Sequence, residues 1–206
     1  MLRQVTARLR LALTVIVAAA LTAAPASAAK FYVSNQPGPV RAEERVAIAS
    51  PQPVQLVLDF QTDGVTNAKA SKEVKPIVLK YLQDTGTFSS ITDAPVPNGA
   101  LLVVRFNNIV DHSAAGKGFK AGLTFGLAGT AVTDNYDVSF ELSPAAGQPT
   151  LKSNLKHALT TTIGKKSDPS YGIEYSKAKE AVDAMVGQAV EHGVFALATQ
   201  TGFPGK

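Results

Sequence analysis

Apolar and polar residues alternate with a period of two in several parts of the chain, a pattern that is typical of half-buried β-strands. The segments with this pattern are residues 54–60, 101–111, 132–142 and 151–163. In the third segment, Val138 and Phe140 alternate with Asp137 and Ser139. Residues 88–92 predict one further, shorter strand. The pattern therefore predicts a sheet with one buried face and one polar face.

Two other segments have the apolar spacing of amphipathic helices. The first covers residues 68–85 and ends before Gly86, and the second covers residues 174–199. Gly187 and Gly193 lie inside the second segment. Since each glycine destabilises a helix by about 1 kcal/mol relative to alanine, we interpret them as positions of close packing against a sheet or of fraying.

The order of these elements, β-α-β-β-β-β-α, predicts an α+β fold. We expect an antiparallel or mixed sheet of about four to five strands with both helices packed on one face. Residues 29–53 contain four prolines and predict a mostly irregular Pro-rich arm, in which residues 31–33 or 46–48 could form short strands. A single domain at residues 54–200 follows, with a Gly-rich apolar hairpin insertion at 112–131 and a tail at 201–206.

Residues 1–28 have the features of a secretory signal peptide. Arg3, Arg8 and Arg10 precede an apolar run at residues 11–21, and small residues follow at 25–29. The run is shorter than the roughly 20 apolar residues that span a bilayer. The sequence therefore predicts a cleaved signal and a periplasmic or secreted protein.

The signal segment accounts for most of the net positive charge of the chain. It contains three of the 20 lysines and arginines and none of the 16 acidic residues, so the net charge of the remainder is close to +1. Nucleic acid is not expected as a partner, because phosphate binding requires a concentrated basic surface. The chain has no cysteine, which excludes a lipid-bearing thiol, a disulfide framework and a Cys-ligated metal.

A short motif joins the end of the first predicted helix to the strand that follows it. Leu82, Gly86, Phe88 and Ile91 form the pattern L-x-x-x-G-x-F-x-x-I. It resembles the L-x-x-x-G-x-F-x-x-V signature of bacterial envelope domains such as the TolB amino-terminal domain and the curli secretion lipoprotein. The resemblance covers roughly residues 54–110 and implies a binding or assembly role without catalysis. The chain differs from the lipoproteins because it has no cysteine for acylation.

The segment at residues 112–131 is the main candidate for contact with a partner or a membrane. Gly118, Gly122 and Gly126 recur at every fourth position, a spacing that places small residues on one face of a helix. The segment is also consistent with a long hairpin connection whose aromatic residues fold back onto the domain, or with disorder; an ordered loop of this length is often functional. Its candidate contact residues are Lys117, Phe119, Lys120, Leu123, Phe125 and Leu127.

Candidate catalytic chemistry is sparse. Asp111, His112, Asp134 and Asp137 could form an oxygen-rich metal or hydrolytic site at the base of the predicted hairpin, or a solvated polar surface. No nucleophile elbow, P-loop or dinucleotide fingerprint occurs. We therefore expect no catalytic residues, no metal and no cofactor.

Other polar residues favour structural roles. His157 is predicted to be a core or rim histidine, and His192 an ordinary surface residue. Asp59 and Asp63 could serve glycoside chemistry only if folding places them at a working distance; otherwise they mark a polar strand end and turn.

The sequence thus predicts an exported, non-catalytic binding or assembly module of the cell envelope. We expect contact with an envelope protein or a membrane surface through residues 112–131 or through a sheet edge. The alternatives are a small metal-dependent or hydrolytic enzyme centred on Asp111, His112, Asp134 and Asp137, and a peripheral lipid binder.

Overall fold

The computed structural model describes residues 29–97, 99–110, 130–144, 148–164 and 167–206. In this part of the chain, one mixed sheet of eight strands carries two α-helices. The elements are β1 (Lys30–Val33), β2 (Gln52–Thr62), β3 (Val65–Thr66), α1 (Ala68–Asp84), β4 (Phe88–Thr92), β5 (Ala100–Ile109), β6 (Thr130–Ser143), β7 (Leu151–Ile163), β8 (Ile173–Tyr175) and α2 (Ala178–Ala198).

The strand order is β3-β2-β5-β6-β7-β1-β8, and β4 pairs with the beginning of β2. Strands β2 and β5 are parallel, because α1 and β4 cross between them, whereas β5, β6, β7, β1 and β8 pair antiparallel. Both helices contact the sheet and each other: α1 lies against β2 and β4, and α2 lies against β1, β6, β7 and β8. The predicted α+β class with two helices on a mixed sheet is confirmed.

The sheet is larger than the four to five strands that the sequence predicts. Strand β1, at the start of the predicted irregular arm, lies between β7 and β8. The prolines of the arm begin only at Pro37, so they do not interrupt this strand. Strand β8 occupies the predicted start of the last helix. Because Ile173–Tyr175 pairs with β1, that helix begins at Ala178 rather than at residue 174.

The core lies between the sheet and the helices. Helix α1 buries Val74, Val78 and Leu82, and the even-numbered positions of β5 and β6 supply the sheet side of the core. On α2, a Cβ at Gly193 would lie 2.1 Å from the Phe140 ring, and one at Gly187 would lie 2.3 Å from the Tyr81 ring. Both glycines are therefore positions of close packing, Gly193 against the sheet and Gly187 against α1.

Residues 34–50 also pack on α2. The Arg45 guanidinium bonds Glu191 at 2.7 Å and lies 5.8 Å from the centre of the Phe195 ring. Nε2 of His192 lies 3.0 Å from the carbonyl oxygen of Gly38. His192 is therefore half-buried under the arm rather than an ordinary surface residue. This cover explains why α2 buries residues around most of its circumference.

Within the described ranges, neither helix is long and apolar enough to cross a membrane.

Candidate functional site

The pairing of β2, β5, β6 and β7 brings polar side chains together on the face of the sheet opposite the helices. Along each strand, alternate residues point to opposite faces. Since Leu56, Val104, Phe140 and Leu142 are buried on the helix side, their odd-numbered neighbours on β2, β5 and β6 lie on the helix-free face. The register then aligns two rows across the four strands, Asp59-Arg105-Ser139-Asn154 and Gln61-Asn107-Asp137-Lys156. We call these eight residues the polar trough.

The polar trough borders a pocket of about 600 Å³. Its lining includes Gln61, Arg105 and Asn107 from β2 and β5, and residues 137–139 and 154–156 from β6 and β7. Facing residues on adjacent strands are separated by about 5 Å at Cβ, so their polar heads are close enough to contact one small molecule. The volume lies within the range of about 300–1,000 Å³ that is usual for ligand pockets.

The charges of this face are balanced. Nη1 of Arg105 lies 3.1 Å from Oε1 of Glu141, and Nζ of Lys156 lies 3.1 Å from Oδ1 of Asp137. Nζ of Lys152 lies 3.9 Å from the same Glu141 oxygen. With Asp59, the face thus holds three cations and three carboxylates. Exposed pairs of this kind contribute only about 0–1 kcal/mol each to stability, and they leave little net field.

Several neutral polar groups of the trough have hydrogen-bonding capacity to spare. Nε2 of Gln61 donates to Oδ2 of Asp59 at 2.6 Å, and Oδ1 of Asn107 accepts from the Gly64 amide at 2.8 Å. Among the described residues, the side chains of Ser139 and Asn154 form no hydrogen bond. The other Asp59 oxygen, Oδ1, is buried and has no partner there either.

The residues predicted to contact a partner or membrane lie outside the described residues. They are Lys117, Phe119, Lys120, Leu123, Phe125 and Leu127. Asp111 and His112 of the alternative metal or hydrolytic site also lie outside them.

The other two residues of that alternative site, Asp134 and Asp137, point to opposite faces of β6. They are three positions apart in a strand whose pairing with β7 is continuous. Burial raises the pKa of Asp134, and hydrogen bonding with the side chain of Asn108 opposes that rise. Asp137, by contrast, is exposed in the trough beside Lys156. These two carboxylates therefore do not form one site, and no group of three or more metal-ligating side chains occurs in the described ranges.

The remaining polar candidates have structural partners. His157 is buried and contacts Gln188, as predicted for a core histidine. Asp59 lies within β2, whereas Asp63 lies in the turn to β3, where its Oδ1 accepts a hydrogen bond from the Val110 amide at 2.9 Å. Asp63 therefore has a structural role in the turn between β2 and β3.

None of the trough residues is among the predicted contact residues. They do lie on the polar strand faces that the alternation on each strand predicts. The missing information was the strand order. Only the parallel placement of β2 beside β5 brings Asp59 and Gln61 next to Arg105 and Asn107. A sequence signal existed in the amides that recur at Gln61, Asn107 and Asn154 on three strands.

Comparisons with known proteins give only distant similarities. No protein-family model and no curated protein matches the chain. Among solved structures, one PelC dodecamer from Paraburkholderia phytofirmans is 16% identical, with a TM-score of 0.31, over 71% of this chain and 91% of that one. A second PelC dodecamer from the same organism is 11% identical, with a TM-score of 0.34, over 80% and 96%. An uncharacterized protein is 10% identical, with a TM-score of 0.36, over 75% and 94%. Similarity at this level carries no conclusion about activity.

Proposed function

We propose that this chain is an exported, non-catalytic binding module of the bacterial cell envelope, and that the polar trough is its binding surface. The proposal rests on the pocket of about 600 Å³ on the helix-free face of the sheet. Its polar side chains are held on four paired strands, a rigid scaffold that fixes their positions. Export is the expectation from residues 1–28.

The chemistry of the trough favours binding over catalysis. A serine nucleophile requires a general base within hydrogen-bonding distance, and Ser139 has no such partner among the described residues. The Arg105–Glu141 pair is half-buried and the Asp137–Lys156 pair is exposed, and in both the acid is paired with the base. Such paired groups can orient a ligand through their hydrogen bonds.

A second contact is proposed for an envelope protein or a membrane surface. Residues 112–131 are one candidate for it, and the sheet edges are the other. In the described part of the chain, the edges are formed by β3 and β4 on one side and by β8 on the other. A module with a trough on one face and a separate contact segment can hold two envelope components together.

Site-specific photo-crosslinking tests the trough as a binding surface. A photoreactive amino acid replaces Ser139 in the trough or Gln83 on the exposed side of α1, and the protein is illuminated in intact envelopes. We expect a discrete adduct from position 139 that excess unlabelled protein suppresses, and none from position 83. Equal labelling at both positions, or labelling at neither, would refute the proposal. Both substituted proteins should also unfold at the same temperature, which shows that neither photoreactive residue disrupts the fold.

A further inference from the structure

We infer that the polar trough binds a neutral, polyhydroxylated ligand, that is, an uncharged oligosaccharide or glycan chain. This inference rests on the proposed function, because it assigns a ligand class to the same surface. It is carried by the balance of charge in the trough, by its unpaired amide and hydroxyl groups, and by its position in the middle of the sheet.

The charge balance argues against a charged ligand. A polyanion would meet the carboxylates of Asp137 and Glu141, and a polycation would meet Arg105 and Lys156. Each of these charges already has an opposite partner at 3.1 Å. A charged ligand would have to displace those partners and leave a like charge beside it, which is unfavourable by the same Coulomb energy that holds the pairs. A neutral ligand leaves the pairs intact.

The unpaired polar groups of the trough can form hydrogen bonds with the hydroxyl groups of a sugar. A side-chain amide presents both a donor and an acceptor, and a serine hydroxyl does so at one atom. Asn154 and Ser139 face each other across β6 and β7 and have no hydrogen-bond partner in the described ranges. The NH₂ group of Asn107, which also lines the pocket, adds a donor nearby. A sugar ring carries several adjacent hydroxyls, each of which both donates and accepts.

The carbon surfaces of the trough complete the match. Arg105, Lys156 and Gln61 each carry an aliphatic stem below a polar head, and stems of this kind can offer apolar surface to a ligand. A pyranose ring is amphipathic in the same way, with C–H faces and a hydroxyl rim.

An extended peptide fits this surface poorly. Peptides that add to a sheet bind at an edge, where backbone N–H and C=O groups are unpaired. In the trough the backbones of β5 and β6 are paired on both sides, so only side chains are offered. Helical peptides require an apolar groove, whereas seven of the nine residues that line this pocket are polar.

The test uses the protein from Ala29 to Lys206 and a panel of hexasaccharides, measured by calorimetry and by NMR titration. The neutral probes are oligomers of glucose, N-acetylglucosamine and galactose, and the charged probes are oligogalacturonate and chitosan oligomers. We expect saturable binding of at least one neutral probe, little change with ionic strength, and recovery of the probe at unchanged mass. The double variant Asn154→Ala/Ser139→Ala should bind about tenfold more weakly, since it loses two hydrogen-bonding groups. Gln83→Ala, which removes an amide on α1, should bind like the native protein.

Three outcomes would overturn the inference. They are the absence of saturable binding of every neutral probe at millimolar concentration, tighter and salt-sensitive binding of a charged probe, and equal binding by the double variant and the native protein. These results are separable from failure of the proposed function. A position-specific protein adduct at residue 139 without glycan binding retains the binding module and rejects the glycan. Cleavage of a probe rejects the non-catalytic role.

Discussion

His157 donates its Nε2 hydrogen to the side-chain oxygen of Gln188, across the interface between β7 and α2. The two atoms are 3.0 Å apart, and both side chains are buried. The amide of Ala158 lies 3.0 Å from Nδ1 of the same ring and can only donate to it. Nδ1 is therefore unprotonated, and His157 is held as a neutral imidazole that joins the sheet to the helix.

This arrangement predicts that stability falls as the pH is lowered. Burial is the main cause that lowers the pKa of His157, and repulsion from His192 adds to it, whereas the bond to Gln188 opposes it. The unfolded chain, with a histidine pKa of about 6.5, takes up a proton that the folded chain rejects. The stabilisation is therefore complete above that pH and is lost below it, at up to about 1.4 kcal/mol per pH unit until the folded pKa is reached. Urea unfolding at neutral and mildly acidic pH measures this slope.

Two substitutions test whether His157 causes this dependence of stability on pH. His157→Gln keeps a polar side chain opposite Gln188 and removes the titrating group, so its stability should decline less between the two pH values. His192→Gln, which leaves His157 in place, should retain most of the decline. An unchanged slope in the His157 variant would show that other groups cause the acid sensitivity.

Gly193→Ala should destabilise the protein, although alanine is the better helix former. The added methyl group would lie 2.1 Å from the buried Phe140 ring, well inside van der Waals contact. Overpacking of this kind usually costs about 1–3 kcal/mol, which exceeds the gain in helix propensity of about 1 kcal/mol. Thermal unfolding measures the loss. Because Phe140→Leu makes room for the methyl group, the double variant should be less destabilised than the sum of the two single variants; additive effects would contradict a direct clash.

Removing residues 29–50 should unfold the domain or severely destabilise it. These residues include β1, which pairs with both β7 and β8 and buries Tyr32 and Val33. Loss of two such side chains from the interior removes about 3–6 kcal/mol of apolar burial. Circular dichroism and urea unfolding should therefore distinguish a chain that begins at Pro51 from one that begins at Ala29. Arg45→Ala, which removes the contacts with Glu191 and with the Phe195 ring but leaves β1 in place, should cost much less than the deletion. Native stability of the shortened chain would show that the arm is dispensable.

Export predicts a processed N-terminus. Intact mass measurement of the protein from its native host should give a chain that begins near Ala29, because small residues at 25–29 form the predicted cleavage site. Replacing Ala26 and Ala28 with bulky residues should leave the precursor uncleaved in the membrane fraction. Recovery of the full-length chain from the cytoplasm would reject the signal peptide.

The sequence pattern identified the long elements of the fold and the five-residue strand β4, but not the strands β3 and β8, which are shorter still. The helix predicted at residues 68–85 ends at Asp84, and the strand predicted at 151–163 has those bounds, because long segments contain many turns of a clear pattern. Strands β1 and β8 contain four and three residues, too few for a pattern to be distinguishable from chance. Their positions depend on pairing with each other and with β7, which is a tertiary effect.

The candidate site could also be predicted from the sequence only in part. The alternation on β6 indicated that Asp137 and Ser139 share a polar face, but neither residue indicates its neighbour on another strand. Asn154 faces Ser139 only because β7 turns back antiparallel, and Arg105 faces Ser139 only because β5 lies on the other side. A shared surface of four strands is therefore a property of topology.

The segment at residues 112–131 leads to a separate prediction about membranes. Changing Phe119, Leu123 and Phe125 to serine should abolish co-sedimentation with liposomes, because burial of apolar side chains at the interface drives such binding. Thermal unfolding should stay nearly unchanged if the segment serves contact rather than the core. Changing Lys117 and Lys120 to glutamine provides the matched comparison. It should weaken binding to anionic vesicles by about 1 kcal/mol per residue and leave binding to neutral vesicles unaltered. Full retention of lipid binding in the serine variant would rule out this segment as the membrane contact, and the sheet edges would then be the remaining candidates for the second envelope contact.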